Sequence, residues 1–319
     1  MKQWYASVNY GLESIVSDII KAYGAQNISV LEGALTFSLK NEIDLRCVNN
    51  LFIILKSFYS DNIAEASNKA ARLVFDFPSL NSGTFRIIVM DCGKLRAIPQ
   101  NVMDEIEKNV ARQSKLAVCR ANPDTELWLN RRNNGATYFM VRIKKHRPFD
   151  KTLKQGELRP DIADIMLHKA VTGKQSVLVD AYGGWGAIAA AAAESGRYQK
   201  IYTGDINREC VQYQKKRFKG KSNCIVQQWD ACKLPFKDSY VDCVVTDPPW
   251  GEYEKINAKH FYGEFIRESS RIIRPEGSLV FLTSAKGEAC ESLDKYSFSY
   301  SFIPIKVNGK DTFLICAER

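Results

Sequence analysis

The chain has 319 residues, of which 45% are hydrophobic and 25% charged, and its 45 lysines and arginines exceed its 36 aspartates and glutamates to give a formal net charge of +9. At about 100–200 residues per domain this predicts two globular units, or three, each able to bury a core, and it excludes a disordered tail, a collagen-like rod and a disulfide miniprotein. No apolar run approaches the roughly 18 residues needed to cross a bilayer, and the start Met1-Lys2-Gln3-Trp4-Tyr5 lacks the basic-then-apolar order of a signal peptide.

Along the chain, Tyr5–Val8 reads as a short strand and Ser14–Ala22 as a helix opened by Gly11-Leu12-Glu13. Leu35–Leu39 alternates apolar and polar residues, the period of a half-buried strand. Thr84–Cys92 is a second β-rich start. After Pro99, the apolar positions Val102, Ile106 and Val110 recur every four residues and predict one face of a helix. Leu127–Leu129 and Tyr138–Ile143 follow, joined by the turn-forming Asn133-Asn134-Gly135. Residues 1–145 therefore read as an α+β region, divided into 1–60 and 61–145. The stretch 146–160 is polar and basic with two prolines, and is expected to be a linker.

From residue 161 to 319 the pattern changes to strands alternating with helices: Ser176–Asp180, Lys200–Asp205, Cys224–Gln228 and Val241–Asp247 are the strands. The order predicts an α/β, doubly wound, Rossmann-like parallel sheet with both faces covered. The alanine run 189–193 fits tight packing of a helix on that sheet.

The nine cysteines are scattered and never form a CxxC pair, and the three histidines are not spaced to share a metal with a cysteine. This fits reduced thiols in a cytoplasmic protein and no metal site.

Chemistry concentrates at the strand ends. Asp180-Ala181-Tyr182-Gly183-Gly184-Trp185-Gly186 lies between a strand and a helix, where glycine lets a backbone approach a ligand closely. Its spacing is neither that of a dinucleotide fingerprint nor that of a P-loop. Asp205 ends the next strand about 20 residues on, where a carboxylate accepts ribose hydroxyls. Asp230 and Asp247 follow the third and fourth strands. Four carboxylates around one crevice repel one another unless a cation or hydroxyl donors share it. S-adenosylmethionine, with a sulfonium, an ammonium, a ribose and an adenine amine, meets that demand. The expected donor-binding set is Asp180, Gly183, Gly184, Gly186, Asp205, Ile206, Asp230 and Ala231.

Asp247-Pro248-Pro249-Trp250 is the most specific signal. Two consecutive prolines lock φ and hold the carbonyls of Asp247 and Pro248 rigidly. A carboxylate and a fixed carbonyl then present two acceptors to the two N–H groups of an exocyclic base amine, favouring a pyramidal nitrogen with a free lone pair. Trp250 is expected to stack on the base.

The tetrapeptide resembles motif IV of amino-methyltransferases that act on adenine N6, cytosine N4 or guanine N2, and the glycine motif precedes it as in the adenine and guanine groups. Leu158-Arg159-Pro160 resembles the segment that opens the methyltransferase domain of THUMP-containing guanine-N2 RNA methyltransferases. Ala121-Asn122-Pro123-Asp124, with Thr84–Val89 and the intervening helix, resembles a THUMP RNA-binding domain, and residues 1–60 resemble its ferredoxin-like companion. The resemblance implies methyl transfer from S-adenosylmethionine to guanine N2 in tRNA, the THUMP region gripping the acceptor end, with no membrane, metal or protein partner required. Ribosomal RNA, an adenine N6 target and an inactive RNA-binding adaptor are the alternatives. The chain departs from that family's Asp-Pro-x-Cys-Gly-Ser-Gly pattern by carrying Ala181, Gly183 and Trp185 at the Pro, Cys and Ser positions. Between Arg131 and Lys154, eight basic residues stand against one acid, and Arg131, Arg132, Arg142, Lys144, Lys145 and Arg147 are expected to meet phosphate.

Overall fold

The computed structural model of the chain describes residues 1–77, 83–145, 153–170, 176–249, 257–307 and 309–319, without the side chains of Lys144 and Lys145. The chain divides into two compact units, Met1–Val8 with Ile20–Arg147 and Asn9–Ile19 with Pro148–Arg319.

The first unit is built on one sheet. Its strands are β1 (Lys2–Ser7), β2 (Gln26–Leu31), β3 (Ala34–Leu39), β4 (Asn50–Tyr59), β5 (Thr84–Asp91), β6 (Lys94–Leu95), β7 (Ala117–Val118), β8 (Thr125–Arg131) and β9 (Ala136–Lys145). They lie in the order β2-β3-β1-β4-β9-β8-β5-β6, with β7 beside β5. The strand β4, whose Leu51-Phe52-Ile53 stretch is buried, pairs with β1 on one side and β9 on the other. The boundary expected near residue 60 thus falls at the end of a strand inside a continuous sheet. Gly135, at φ +81°, makes the turn between β8 and β9. The helix after Pro99 spans Gln100–Ser114 and buries Ile106 and Val110, the positions its periodicity marked, whereas Val102 is half-buried.

The second unit follows the alternating pattern. Pro160 opens a helix, Pro160–Lys169, at a first-turn position where its missing N–H costs nothing. The strands β10 (Ser176–Asp180), β11 (Tyr198–Asp205), β12 (Cys224–Gln228), β13 (Val241–Thr246), β14 (Ile273–Thr283), β15 (Ser299–Val307) and β16 (Lys310–Glu318) form a sheet in the order β12-β11-β10-β13-β14-β16-β15. Strands β10 to β14 pair in parallel, and β16 is antiparallel to both neighbours. The core is Val179, Val244, Leu279 and Phe281 of the sheet against Tyr262, Phe265 and Ile266 of the helix Ala258–Ile272.

The order matters for the site. Strand order reverses between β10 and β13, so the chain leaves these neighbouring strands in opposite senses and opens a crevice at their carboxyl ends, the usual ligand position in such sheets. The glycine run follows β10, and Asp247 follows β13.

Candidate active site

Four carboxylates expected from the sequence are where the sheet places them: Asp180 and Asp205 end β10 and β11, Asp230 lies two residues past β12, and Asp247 one past β13. They differ in environment. Asp180 is 1% exposed and accepts a 2.8 Å hydrogen bond from the Thr246 hydroxyl, which in turn accepts the Tyr182 amide at 2.8 Å. Asp180 therefore ties β10 to the last residue of β13. Asp205 and Asp247 are half-buried, and Asp230 is exposed.

Burial pushes the Asp180 carboxyl up to about 8, and the negative charges of Asp205 and Asp247 push in the same direction. The group is ionised in the unfolded chain above about pH 4 but holds its proton in the folded one, so native protein binds more protons between these values. Stability from this group is complete below pH 4 and lost as pH rises toward 8, by as much as about 1.4 kcal/mol per unit. Asp180→Asn should flatten that part of the profile, which urea unfolding between pH 5 and 8 will measure. Equal slopes in the two proteins would show that Asp180 ionises normally.

The glycine loop is pinned peptide by peptide. Gly183 N donates to Gly204 O at 2.7 Å, and Gly186 N to Gly183 O at 2.7 Å. Gly184 N donates to Asp205 Oδ2 at 2.9 Å, while Gly184 O accepts from Gln214 Nε2 at 2.8 Å. Asp205 Oδ1 also accepts the Asn207 amide at 2.9 Å, fixing the start of the helix Arg208–Arg217. Glycine is required at two positions for different reasons. Gly186 has φ +83° and would set a Cβ 3.0 Å from the Phe218 ring, and a Cβ on Gly183 would stand 2.4 Å from Thr203 Oγ1 and 2.7 Å from Gln214 Nε2. A Cβ at Gly184 would instead enter open space.

Beyond Asp205 the floor continues in apolar groups. Ile206 is 70% exposed, an aliphatic face at a strand end, and its carbonyl accepts from Gln228 Nε2 at 3.0 Å. Ala231 is buried beside the exposed Asp230, whose Oδ1 accepts the Cys232 amide at 2.9 Å. Pro248 is buried and Pro249 exposed. Trp250 lies outside the described residues, as do Arg147 and the side chains of Lys144 and Lys145.

Sequence reasoning missed the second layer of this site. Thr246, Thr203, Gln214 and Trp229 touch the loop through long-range contacts: Thr203 Oγ1 donates to Gln214 Oε1 at 2.8 Å, and Trp229 Nε1 to Ala181 O at 2.9 Å. Their one local signal is position, since Thr246 and Thr203 sit at or near strand ends. Past the corner, Tyr262 is in the core, its hydroxyl accepting from Thr283 at 2.7 Å, and His260 is exposed at the start of its helix.

Several cations of the basic run have partners within the protein. Arg131 is held by Asp91 at 2.7 Å with its side chain 13% exposed, and Arg142 by Glu126 at 2.8 Å with its side chain 16% exposed. Arg132 donates to the Tyr5 hydroxyl at 2.8 Å and to the Glu32 carbonyl. These three guanidinium groups thus bond acceptors within the protein and help to hold the sheet together. Among the described residues no group of three His, Cys, Asp or Glu side chains is arranged to hold a metal, and no helix is long and apolar enough to cross a membrane.

Residues 145–300 match the family described as UPF0020, RMKL-like, methyltransferase domain. Over 184 residues the chain is 30% identical to the mouse (Mus musculus) tRNA (guanine(6)-N(2))-methyltransferase THUMP3, covering 52% of this chain and 36% of the mouse protein. It is 28% identical over 142 residues to the tRNA (guanine(6)-N2)-methyltransferase of Thermus thermophilus, covering 43% of this chain and 42% of that protein. The matched stretches thus span less than half of either relative. The crystal structure of TrmN from Thermus thermophilus aligns over 100% of both chains with a TM-score of 0.80 at 20% identity, a likeness of fold along the whole chain. The family match covers residues 145–300, a little under half of the chain.

Proposed function

We propose that the chain transfers a methyl group from S-adenosylmethionine to the exocyclic N2 of a guanine in tRNA. The observation that carries this reading is the junction of two strand ends: the rigid Asp247-Pro248-Pro249 corner leaves β13 beside β10, whose glycine loop is hydrogen-bonded to Asp205. The names of the two tRNA methyltransferase relatives agree with it.

The residues present fit the donor. The space beside Gly184 admits a ligand close to backbone, the carboxylates of Asp205 and Asp247 suit a cation, and Ile206 with Ala231 offers apolar faces beside the acceptor Asp230. Gly184 and Gly186 would pass the methionine end, Asp205 the ribose, and Asp230 the adenine amine. S-adenosylmethionine supplies an electrophilic methyl on a sulfonium. Asp247 accepts one N–H of the target amine, and the Pro248 carbonyl accepts the other, which frees the nitrogen lone pair. Asp247 then takes the proton that the methylated nitrogen loses. Trp250 stacks the base, which leaves its helix to reach the corner. Residues 61–145, read as a THUMP region beside the ferredoxin-like residues 1–60, grip the acceptor end of the RNA, in the cytoplasm.

The test incubates the full chain with labelled S-adenosylmethionine and, side by side, tRNA and ribosomal RNA, followed by digestion to nucleosides and mass spectrometry. N2-methylguanosine in tRNA is the expected product. Label in N6-methyladenosine or in ribosomal RNA alone would overturn the substrate. Retained tRNA binding with no donor binding would make the chain an adaptor.

A further inference from the structure

The glycine loop is anchored from outside by an assembly the RMKL-like reading does not include. Trp185 stands between Gly184 and Gly186, and its indole packs among residues outside the loop. Indole Nε1 donates to the Gln155 carbonyl at 3.0 Å, and the ring meets Tyr213 edge-on, the centroids 5.3 Å apart. The Lys154 ammonium sits 5.0 Å from the Trp185 ring and 5.2 Å from the Tyr213 ring, within reach of both π faces. The backbone is gripped as well: the Trp185 carbonyl accepts from Arg217 at 2.7 Å, and Arg217 pairs at 2.7 Å with Glu157, whose side chain is 6% exposed. Tyr213, Gln214 and Arg217 lie on one helix, so a single face of Arg208–Arg217 holds Trp185 by its ring, Gly184 by its carbonyl and Trp185 by its carbonyl.

We infer that Trp185 is a positioning residue that clamps the glycine loop against residues 154–157 and so sets the affinity for the methyl donor, without touching the donor itself. The inference rests on the donor-site reading above. Its physical basis is the composition of the loop. Gly183, Gly184 and Gly186 have no side chains with which to hold their own conformation and carry the largest backbone entropy of any residue. A loop of this kind visits many conformations unless something outside it selects one. Trp185 supplies the only side chain among residues 183–186, and its ring is committed to that external contact. The bulky residue at the position where the resembling family has serine therefore leaves the donor crevice open and acts on it through the backbone.

If a loop without the clamp populates its donor-ready conformation one time in ten, apparent affinity falls about tenfold while the bound state is unchanged. Trp185→Ser in the full chain should therefore raise the dissociation constant for S-adenosylhomocysteine about tenfold in calorimetric titration. The KM for the donor should rise in parallel, with kcat at saturating donor within about twofold of wild type, because the clamp acts before binding. Trp185→Phe, which keeps a ring for Tyr213 and Lys154, should recover most of the affinity. Tyr213→Ala, a partly exposed position, provides a second route: it removes the wall behind the indole and should weaken binding by several fold. Unchanged affinity in both Trp185→Ser and Tyr213→Ala would overturn the clamp while leaving the donor site intact, as would a loss of kcat with affinity preserved. A wild-type chain that binds no S-adenosylhomocysteine would overturn the donor-site reading, and the clamp with it.

Discussion

Asp247→Ala should reduce kcat for methyl transfer by about a thousandfold or more, within the range seen when a positioned acceptor or base is removed from a water-poor site. The side chain would supply two things at once, an acceptor for the amine and a destination for its proton. Asp247→Asn should be almost as severe, since its amide NH2 would face the target amine donor to donor. Affinity for S-adenosylhomocysteine should change by no more than about threefold, because Asp205, the glycine loop and Ile206 are untouched. A second signature follows from the electrostatics. Asp247 helps to raise the Asp180 carboxyl, so removing its charge should move Asp180 titration toward lower pH. Single-turnover kinetics with tRNA and calorimetric titration would measure the first effects, and urea unfolding against pH the last. An Asp247→Ala protein with wild-type turnover would remove the chemical basis of the proposed reaction.

Gly183→Cys should be the most damaging single change in the donor loop, although it restores the residue that the resembling family carries there. A Cβ at this position would stand 2.4 Å from Thr203 Oγ1, 2.7 Å from Gln214 Nε2 and 3.0 Å from the Gly204 carbonyl. Neither side chain can yield cheaply, because Thr203 and Gln214 are fully buried and already bonded to each other. Gln214 also holds the Gly184 carbonyl. Displacing them combines overpacking, about 1–3 kcal/mol, with the loss of a buried hydrogen bond, about another 1–3 kcal/mol. The donor loop would move with Gln214, and affinity for S-adenosylhomocysteine should fall by about a hundredfold. Gly184→Ala is the control. Its φ of +47° disfavours a side chain, but the Cβ would meet nothing within 4 Å, so the cost should be about 1 kcal/mol. Thermal unfolding and donor titration of the two variants should separate them clearly. Equal behaviour would mean that the Thr203–Gln214 pair does not support the loop.

Both predictions use pairs that no linear reading connects. Gly183 and Gln214 are 31 positions apart, and the partners of Asp180 come from β11 and β13. Some of the site was nevertheless legible. Glycines after an apolar strand, a carboxylate at the next strand end and two prolines after a fourth strand are local statements. Each follows from what one or two residues do to their own backbone. The basic run shows the opposite case. Counting charges from Arg131 to Lys154 registers an excess of cations but not their partners. Asp91 stands directly across from Arg131 in the pairing of β5 with β8, and Glu126 lies one strand away from Arg142. Three cations that looked available for phosphate are held by the sheet.

The sequence by itself determined the alternation of strands and helices beyond residue 160, the glycine loop, the strand-end carboxylates and the proline-locked corner, because short-range sterics and burial periodicity act on neighbours in the chain. Tertiary structure decided which strands lie side by side, and therefore that the loop after β10 and the corner after β13 border the same crevice. It also decided that Thr246 joins them, that the Asp180 carboxyl is pushed up by burial, and that Trp185 meets Gln155 and Tyr213. Each of these depends on a contact between residues tens of positions apart, and the free energy of such a contact exists only once the chain has packed.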